Sequence, residues 1–393
     1  MNILLCTPTS TYVSSQVGGA QTSIRLIGEK LAEMGHKVVY ISCSGDTNGE
    51  ITWERINGVD VVLYPKRQKK GILRKCFGQP PRKFKNRDVE TLIKNVIKKM
   101  NIEIVYLHYH IWMLERISAV KKELAFKLVV RMAGLVWYEA SLLSDTDKKR
   151  YEVAFEDADS FNYNTPGLKE LTYQKVREIG FNYSPPDEFV ADIGGFTSTG
   201  PAPDISAHDP STLKIVVATR FSNYQKRQDL LIEALKLIGD RANIQLTMIG
   251  SGPRKESLEK LVEEYGLSSK VEIIPFLPQD RLWHLLESFD LLCHPCEYEG
   301  LSKIIVESMM KGLPVLASDV LPLNDYIISE KTGYLVENTP QAWADKLLSL
   351  ANEHQNLANV GLAGQQYATE HFDPNKGAAE YELHFKRILG SKS

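Results

Sequence analysis

No apolar run in the 393-residue chain approaches the roughly 18 residues needed to cross a bilayer as a helix. Cysteine is scarce and odd in number, five residues scattered along the chain, so no disulfide framework is expected. The chain opens on a strand-like MNILLC instead of a basic and then apolar leader, and the expectation is a cytoplasmic protein without a secretory signal. There is no excess of positive charge: 47 basic against 49 acidic residues leave a formal net charge of −2, which argues against a nucleic-acid partner. A G-x-G-x-x-G dinucleotide fingerprint, short-period repeats and low-complexity tracts are all missing. What remains is a chain with 43% apolar and 24% charged residues, too long for one ordinary core and suited to two domains.

Charge is nonetheless uneven. Lys66 to Arg87 holds ten Lys or Arg and no acid, interleaved with Ile72, Leu73, Phe77 and Phe84. One reading is a solvated loop. The other is a surface that docks on an anionic membrane face or acceptor, where each basic residue adds about 1 kcal/mol.

The first half alternates short apolar runs with helical patterns, as a parallel α/β sheet does. Strands are expected at Ile3–Cys6, Lys37–Ser42, Ile104–Leu107, Lys127–Arg131, Ser160–Tyr163 and Phe189–Ile193. Val89, Leu92, Ile93, Val96 and Ile97 mark one amphipathic helix, with others at Ala20–Met34 and Gly167–Ile179. The segment GGFTSTGPAPDISAHDPST then breaks the pattern and reads as a linker, placed at 197–211. A second α/β series follows, with strands at Leu213–Ala218, Ile244–Ile249, Val271–Ile274, Leu291–His294 and Val315–Ala317. The expected domains are 1–196 and 212–374, with the helix near 375–393, carrying Ala378, Tyr381, Phe385 and Ile388 on one side, packing back on the first. Two doubly wound halves imply ligand binding beyond the carboxyl ends of their strands.

The chemistry-bearing residues fall at those ends. Gly18 and Gly19 precede the first long helix, where backbone N–H groups can approach a phosphate, although Gly-Gly is also an ordinary turn. Arg220 and Lys226 follow the first strand of the second half; a guanidinium and an ammonium so placed suit a diphosphate, against the commoner case of two surface cations. Gly250 and Gly252 in IGSGP read as room for a ligand or as a sharp chain reversal. In HPCEYEGLSKIIVES, Glu299 complements a helix N-terminus, worth about 0.3–1 kcal/mol. Glu307 lies over two turns further along beside Val306 and Met309, where an acid without a partner is poorly placed, and this points to a ligand. Cys293 and Cys296 imitate a redox or zinc motif, but no second ligand pair is near, and a role in packing the strand end is preferred. His108, at the end of a strand in IVYLHYH, is either a satisfied core histidine or a contact for sugar or acceptor.

Together, Arg220 with Lys226, GSGP at 250–253 and the Glu-x7-Glu of Glu299 and Glu307 resemble glycosyltransferase family four, the retaining nucleotide-sugar enzymes of GT-B fold. The resemblance implies an α/β architecture of two Rossmann-like domains facing a central cleft, with a nucleoside-diphosphate sugar as donor and no obligatory metal or cofactor. No Asp-x-Asp occurs in a plausible phosphate loop. It further implies that Glu307 accepts the ribose hydroxyls and that Glu299 lies near the donor sugar. The backbone N–H groups of Gly300, Leu301 and Ser302 would face sugar and phosphates, with Gly18, Gly19, Gly250 and Gly252 also lining the donor. Arg220, Lys226, Glu299 and His108 form the expected catalytic set. Two departures stand out: Val320 to Asp325 replaces a Gly-Gly-Glu-like loop, and Ala133 fills a second histidine position.

The implied reaction moves a sugar to an acceptor hydroxyl with retention, in polysaccharide or glycolipid assembly. The acceptor would be a glycan or a lipid-linked sugar, and the Lys66–Arg87 segment would give peripheral contact with the inner face of the cytoplasmic membrane. Three rivals share parts of this pattern. A nicotinamide dehydrogenase should carry the glycine fingerprint; a GT-B nucleotide-sugar epimerase would turn over without an acceptor; a noncatalytic sugar-nucleotide-binding protein would not need both cations and both acids.

Overall fold

The computed structural model describes residues 1–8, 12, 19–44, 47, 49–65, 86–108, 110–132, 144–194, 202–222 and 225–390. The chain divides into two units: Met1–Asn164, Lys169–Ile193 and Pro374–Ser393 form the first, and Thr165–Leu168 and Gly194–Asp373 the second. Each is organised round its own sheet.

In the first unit the strands are β1 (Asn2–Thr7), β2 (Lys37–Ser44), β3 (Thr52–Ile56), β4 (Val59–Pro65), β5 (Ile104–His108), β6 (Lys127–Met132), β7 (Ser160–Tyr163) and β8 (Glu188–Val190). Their order is β3-β4-β2-β1-β5-β6-β7-β8, parallel except for β3. Strand β3 escapes the α/β periodicity because it is an exposed edge strand with no apolar run, whereas β4, buried and apolar over Val61 to Tyr64, is a further strand beyond those expected. The signal of the hairpin they form is Asn57-Gly58, both at positive φ (49° and 79°), the two-residue turn that matches strand twist. Helices α1 (Gly19–Glu33), α2 (Asn86–Met100), α3 (Ile111–Lys121), α4 (Asp145–Glu156) and α5 (Pro166–Glu178) alternate with the later strands. On α2 the residues Val89, Leu92, Ile93, Val96 and Ile97 are all buried, as their spacing requires.

The C-terminal helix Pro374–Gly390 belongs to the first unit and buries Ala378, Tyr381, Phe385 and Ile388 there. A polar network fixes it. The Tyr381 hydroxyl donates to the Ala191 carbonyl at 2.8 Å, and the Tyr106 hydroxyl donates to Asn162 Oδ1 at 2.7 Å. Beside them the fully buried Arg131 guanidinium pairs with Asp192 at 3.0 Å.

The second unit holds β9 (Leu213–Ala218), α6 (Gln228–Ile238), β10 (Ile244–Ile249), α7 (Lys255–Glu264), β11 (Val271–Ile274), α8 (Gln279–Leu286), β12 (Leu291–His294), α9 (Lys303–Met310), β13 (Val315–Ser318), β14 (Tyr334–Val336), α10 (Pro340–Asn352) and α11 (His354–His371). The all-parallel order is β11-β10-β9-β12-β13-β14. The short strand β14 extends the sheet beyond the five expected strands. The stretch expected as a linker is described from residue 202, where Ile205 is buried in the second core, so that part of it is integral to the unit. Chain order reverses between β9 and β12, which lie side by side with Ile215 opposite Leu291. This is the switch point at which open parallel sheets leave a crevice at their carboxyl edge. Among the described residues no helix is long and apolar enough to cross a membrane.

Candidate active site at the switch point of the second sheet

The loops after β9 and β12 are stitched together by backbone bonds. Arg227 N–H donates to the Pro295 carbonyl at 3.1 Å, Glu297 N–H donates to the Gln225 carbonyl at 2.9 Å, and Lys226 pairs with Cys296 as an isolated antiparallel bridge. That stitch carries Lys226 to Glu299, 73 positions on, and the ammonium contacts Glu299 Oε2 directly. Both side chains are largely withdrawn from water, at 11% and 15% exposure. Burial pushes the Lys226 ammonium down to about 8, and the Arg220 charge adds to the push. Arg220 itself is exposed and makes no ion pair with any described residue.

His294, which the sequence reading passed over as part of a false Cys-x-x-Cys motif, ends β12 beneath this pair. It is 1% exposed, and its Nε2 lies 3.1 Å from Lys226 Nζ, 3.2 Å from Glu299 Oε2 and 3.3 Å from Ser302 Oγ. Burial, reinforced by Lys226, holds its pKa well below the ordinary imidazole value, so the ring is neutral. Cys293 and Cys296 on either side are free buried thiols. Burial raises both, Cys296 to about 11, which keeps them protonated. Among the described residues no group of three or more His, Cys, Asp or Glu is placed to hold a metal ion.

Glu307 sits on α9 at 7% exposure, and α8 supplies it with partners within the chain. Gln279 Nε2 donates to its Oε1 at 2.8 Å, and Trp283 Nε1 donates to its Oε2 at 3.0 Å. Burial raises the carboxyl above its ordinary value, while the Trp283 and Lys303 contacts hold it back. Each oxygen keeps a further lone pair for a hydroxyl donor.

The glycines of IGSGP, read as room for a ligand or as a chain reversal, have a packing reason to be glycine. A Cβ on Gly250 would fall 2.1 Å from the Thr219 carbonyl oxygen, and one on Gly252 (φ +153°) would fall 2.3 Å from that of Phe221. Phe221 N–H donates to Ser251 O at 2.9 Å and Arg254 N–H to Phe221 O at 3.1 Å. The room is filled by the Arg220 loop, and the glycines let that loop lie against the end of β10. Two of the amides assigned to the donor are also engaged within the chain: Ser302 N–H donates to the Tyr326 hydroxyl at 3.1 Å and Gly300 N–H to Glu299 Oε1 at 3.1 Å. Leu301, between them, is buried.

In the first unit His108 ends β5 beside the Arg131 position of β6. It is buried, and desolvation together with Arg131 lowers its pKa to about 3, so it is neutral at physiological pH. Gly19 begins α1 and is exposed. Gly18, Ala133 and the basic residues 66–85 lie outside the described residues, as do the side chains of Asn86 and Arg87.

Two Rossmann-like units, one with the 3-2-1-4-5-6 strand order, define an α/β protein of the GT-B class, and its structural neighbours are glycosyltransferases of that class. Residues 202–367, all within the second unit, match the family model described as glycosyl transferases group 1. The poly(ribitol-phosphate) alpha-N-acetylglucosaminyltransferase of Staphylococcus aureus is 31% identical over 150 residues, 37% of this chain and 30% of that protein. The N-acetyl-alpha-D-glucosaminyl L-malate synthase of Bacillus anthracis is 22% identical over 383 residues, 95% of each. Among solved structures, sucrose-phosphate synthase from Thermosynechococcus elongatus superposes with a TM-score of 0.81 at 19% identity over 100% of both chains. Anabaena Alr3699/HepE, solved with UDP and glucose, gives 0.72 at 17% identity over 98% and 99%. The chain spans 30–36% of the length of the first curated relatives it matches. The match to the group 1 family model is thus confined to residues 202–367, and the likeness over the full chain is one of fold.

Proposed function

We propose that the protein is a retaining glycosyltransferase of family four that moves a sugar from a nucleoside diphosphate to an acceptor hydroxyl. The observation that carries the reading is the meeting of Lys226 and Glu299 at the switch point of the second sheet, with the unpaired Arg220 charge close enough to depress Lys226. In this reading Arg220 and Lys226 take the charge that grows on the departing diphosphate, the costliest part of the reaction. Glu299 faces the sugar, and Glu307, aimed by Gln279 and Trp283, accepts the ribose hydroxyls. Gly19 and His108 of the first unit are assigned to phosphate and to sugar or acceptor. Neither a metal nor a cofactor is assigned a part.

The Arg220 loop keeps its own geometry through Gln228, whose Nε2 donates to Thr219 Oγ1 at 2.8 Å and to the Arg220 carbonyl at 3.0 Å. These bonds fix the backbone from which the Arg220 side chain reaches out, while the guanidinium itself stays exposed. For the acceptor, the ten basic residues of Lys66–Arg87 favour a glycan or lipid-linked sugar presented at an anionic membrane surface. The test is a panel of nucleotide sugars screened by thermal stabilisation, then NMR of the product anomer from the donor that binds. A binder that yields the inverted anomer refutes retention, and a panel without any binder refutes the donor site.

A further inference from the structure

His294 has one ring nitrogen with three polar neighbours and one with none. Nε2 faces Lys226 Nζ, Glu299 Oε2 and Ser302 Oγ, whereas the buried Nδ1 has no hydrogen-bond partner among the described residues. A charged Lys226 is a donor only, and an ionised Glu299 is an acceptor only. The Nε2 atom is therefore best used as a lone pair that accepts from the ammonium, with Ser302 able to donate to it when the ammonium turns away. The proton then sits on Nδ1 as an unsatisfied buried N–H, a cost a structural histidine would not be expected to carry.

We propose that His294 is a positioning residue of the donor site, its Nε2 aiming the Lys226 ammonium between Glu299 and the incoming diphosphate. The inference rests on the donor-site reading above and adds to it the residue that holds its lysine. The groups facing Lys226 are His294 and Glu299 from the β12 loop and, through charge, Arg220 and Cys296.

The unequal use of the two nitrogens sets the experiment. His294→Gln places a polar atom near Nε2, His294→Asn places it near Nδ1, and His294→Leu supplies neither. With UDP, GDP and ADP as calorimetric probes at pH 7, the Gln variant should bind about as tightly as the wild type. The Asn and Leu variants should each lose about tenfold, the size of one hydrogen bond to a charged group. Equal losses in Gln and Asn, or a Leu variant that binds like the wild type, overturn the proposal.

A second readout needs no nucleotide. The unfolding free energy of each variant, relative to the same variant carrying Lys226→Met, is followed against pH. A lysine whose folded pKa is lowered gives stability that rises with pH from that value to the ordinary one near 10.5. In the wild type the rise starts at about 8; in His294→Leu it should start about one unit lower, because the ammonium has lost an acceptor. An unmoved onset overturns the proposal. If the wild type binds none of the three diphosphates, the donor-site reading fails, and the onset still decides the role of His294.

Discussion

Replacing Trp283 by Phe removes one N–H and leaves Glu307 Oε2 without its donor at 3.0 Å, while Gln279 continues to hold Oε1. A hydrogen bond to a buried charged group is worth about 1.5–3 kcal/mol, so at pH 7 the variant should lose about 2 kcal/mol. Part of any loss comes from the smaller ring, and the cycle with Glu307→Gln separates it: in that background Trp283→Phe should cost only the packing term, leaving a coupling of about 1.5 kcal/mol. The sign with pH follows from the raised Glu307 carboxyl. A raised acid favours the folded state at low pH and loses that advantage as pH rises through its folded value. Removing the indole donor raises it further, so the loss is largest where Glu307 is ionised and shrinks as falling pH protonates the carboxyl. Urea unfolding of the four proteins at pH 7 and through a series of lower pH values reads both quantities. A coupling below about 0.5 kcal/mol, or a loss that does not shrink as pH is lowered until Glu307 is protonated, would refute the claim that Trp283 supports an ionised Glu307.

Lys226→Met should abolish most nucleoside-diphosphate affinity, and wild-type affinity should fall as pH rises through about 8, where the ammonium is lost; calorimetry across pH 6–9 checks this, and a flat profile counts against the diphosphate role. Arg220→Ala, at an exposed position, should leave melting unchanged and lower turnover by about a hundredfold or more, in the range seen when one preorganised charge is removed. Gly250→Ala forces a methyl to 2.1 Å from a backbone carbonyl and should cost more than about 3 kcal/mol, visible as lost soluble yield; a normally stable variant would show that the Arg220 loop can move aside. His108, held neutral down to about pH 3, should contribute no acid limb between pH 5 and 7, and an acid limb that vanishes in His108→Gln would contradict that burial.

Local pattern carried most of the architecture. Alternating apolar runs and helical spacing located eleven strands, because a strand buried on both faces must be apolar throughout and a half-buried helix must repeat near 3.6 residues. The same pattern could not find Thr52–Ile56, an exposed edge strand, nor α3, whose Ile111, Trp112, Met113 and Leu114 give no single apolar stripe. Glu299 and Glu307 could be singled out because acids on an apolar helix need a reason. Which partner supplied the reason could not be read, since Gln279 and Trp283 lie 28 and 24 positions away.

What the sequence by itself determined is the set of elements and the chemical types at their ends: two α/β series, an Arg and a Lys after one strand, two acids after another. Only the tertiary structure decided which ends meet. Placing β12 beside β9 brings together residues 73 positions apart, puts His294 under the Lys226 and Glu299 pair, and fills the space of Gly250 and Gly252 with the Arg220 loop. The physical reason is that side-chain periodicity is a local property, while strand order is settled by packing of the whole sheet, and the proposed site lies where that order reverses.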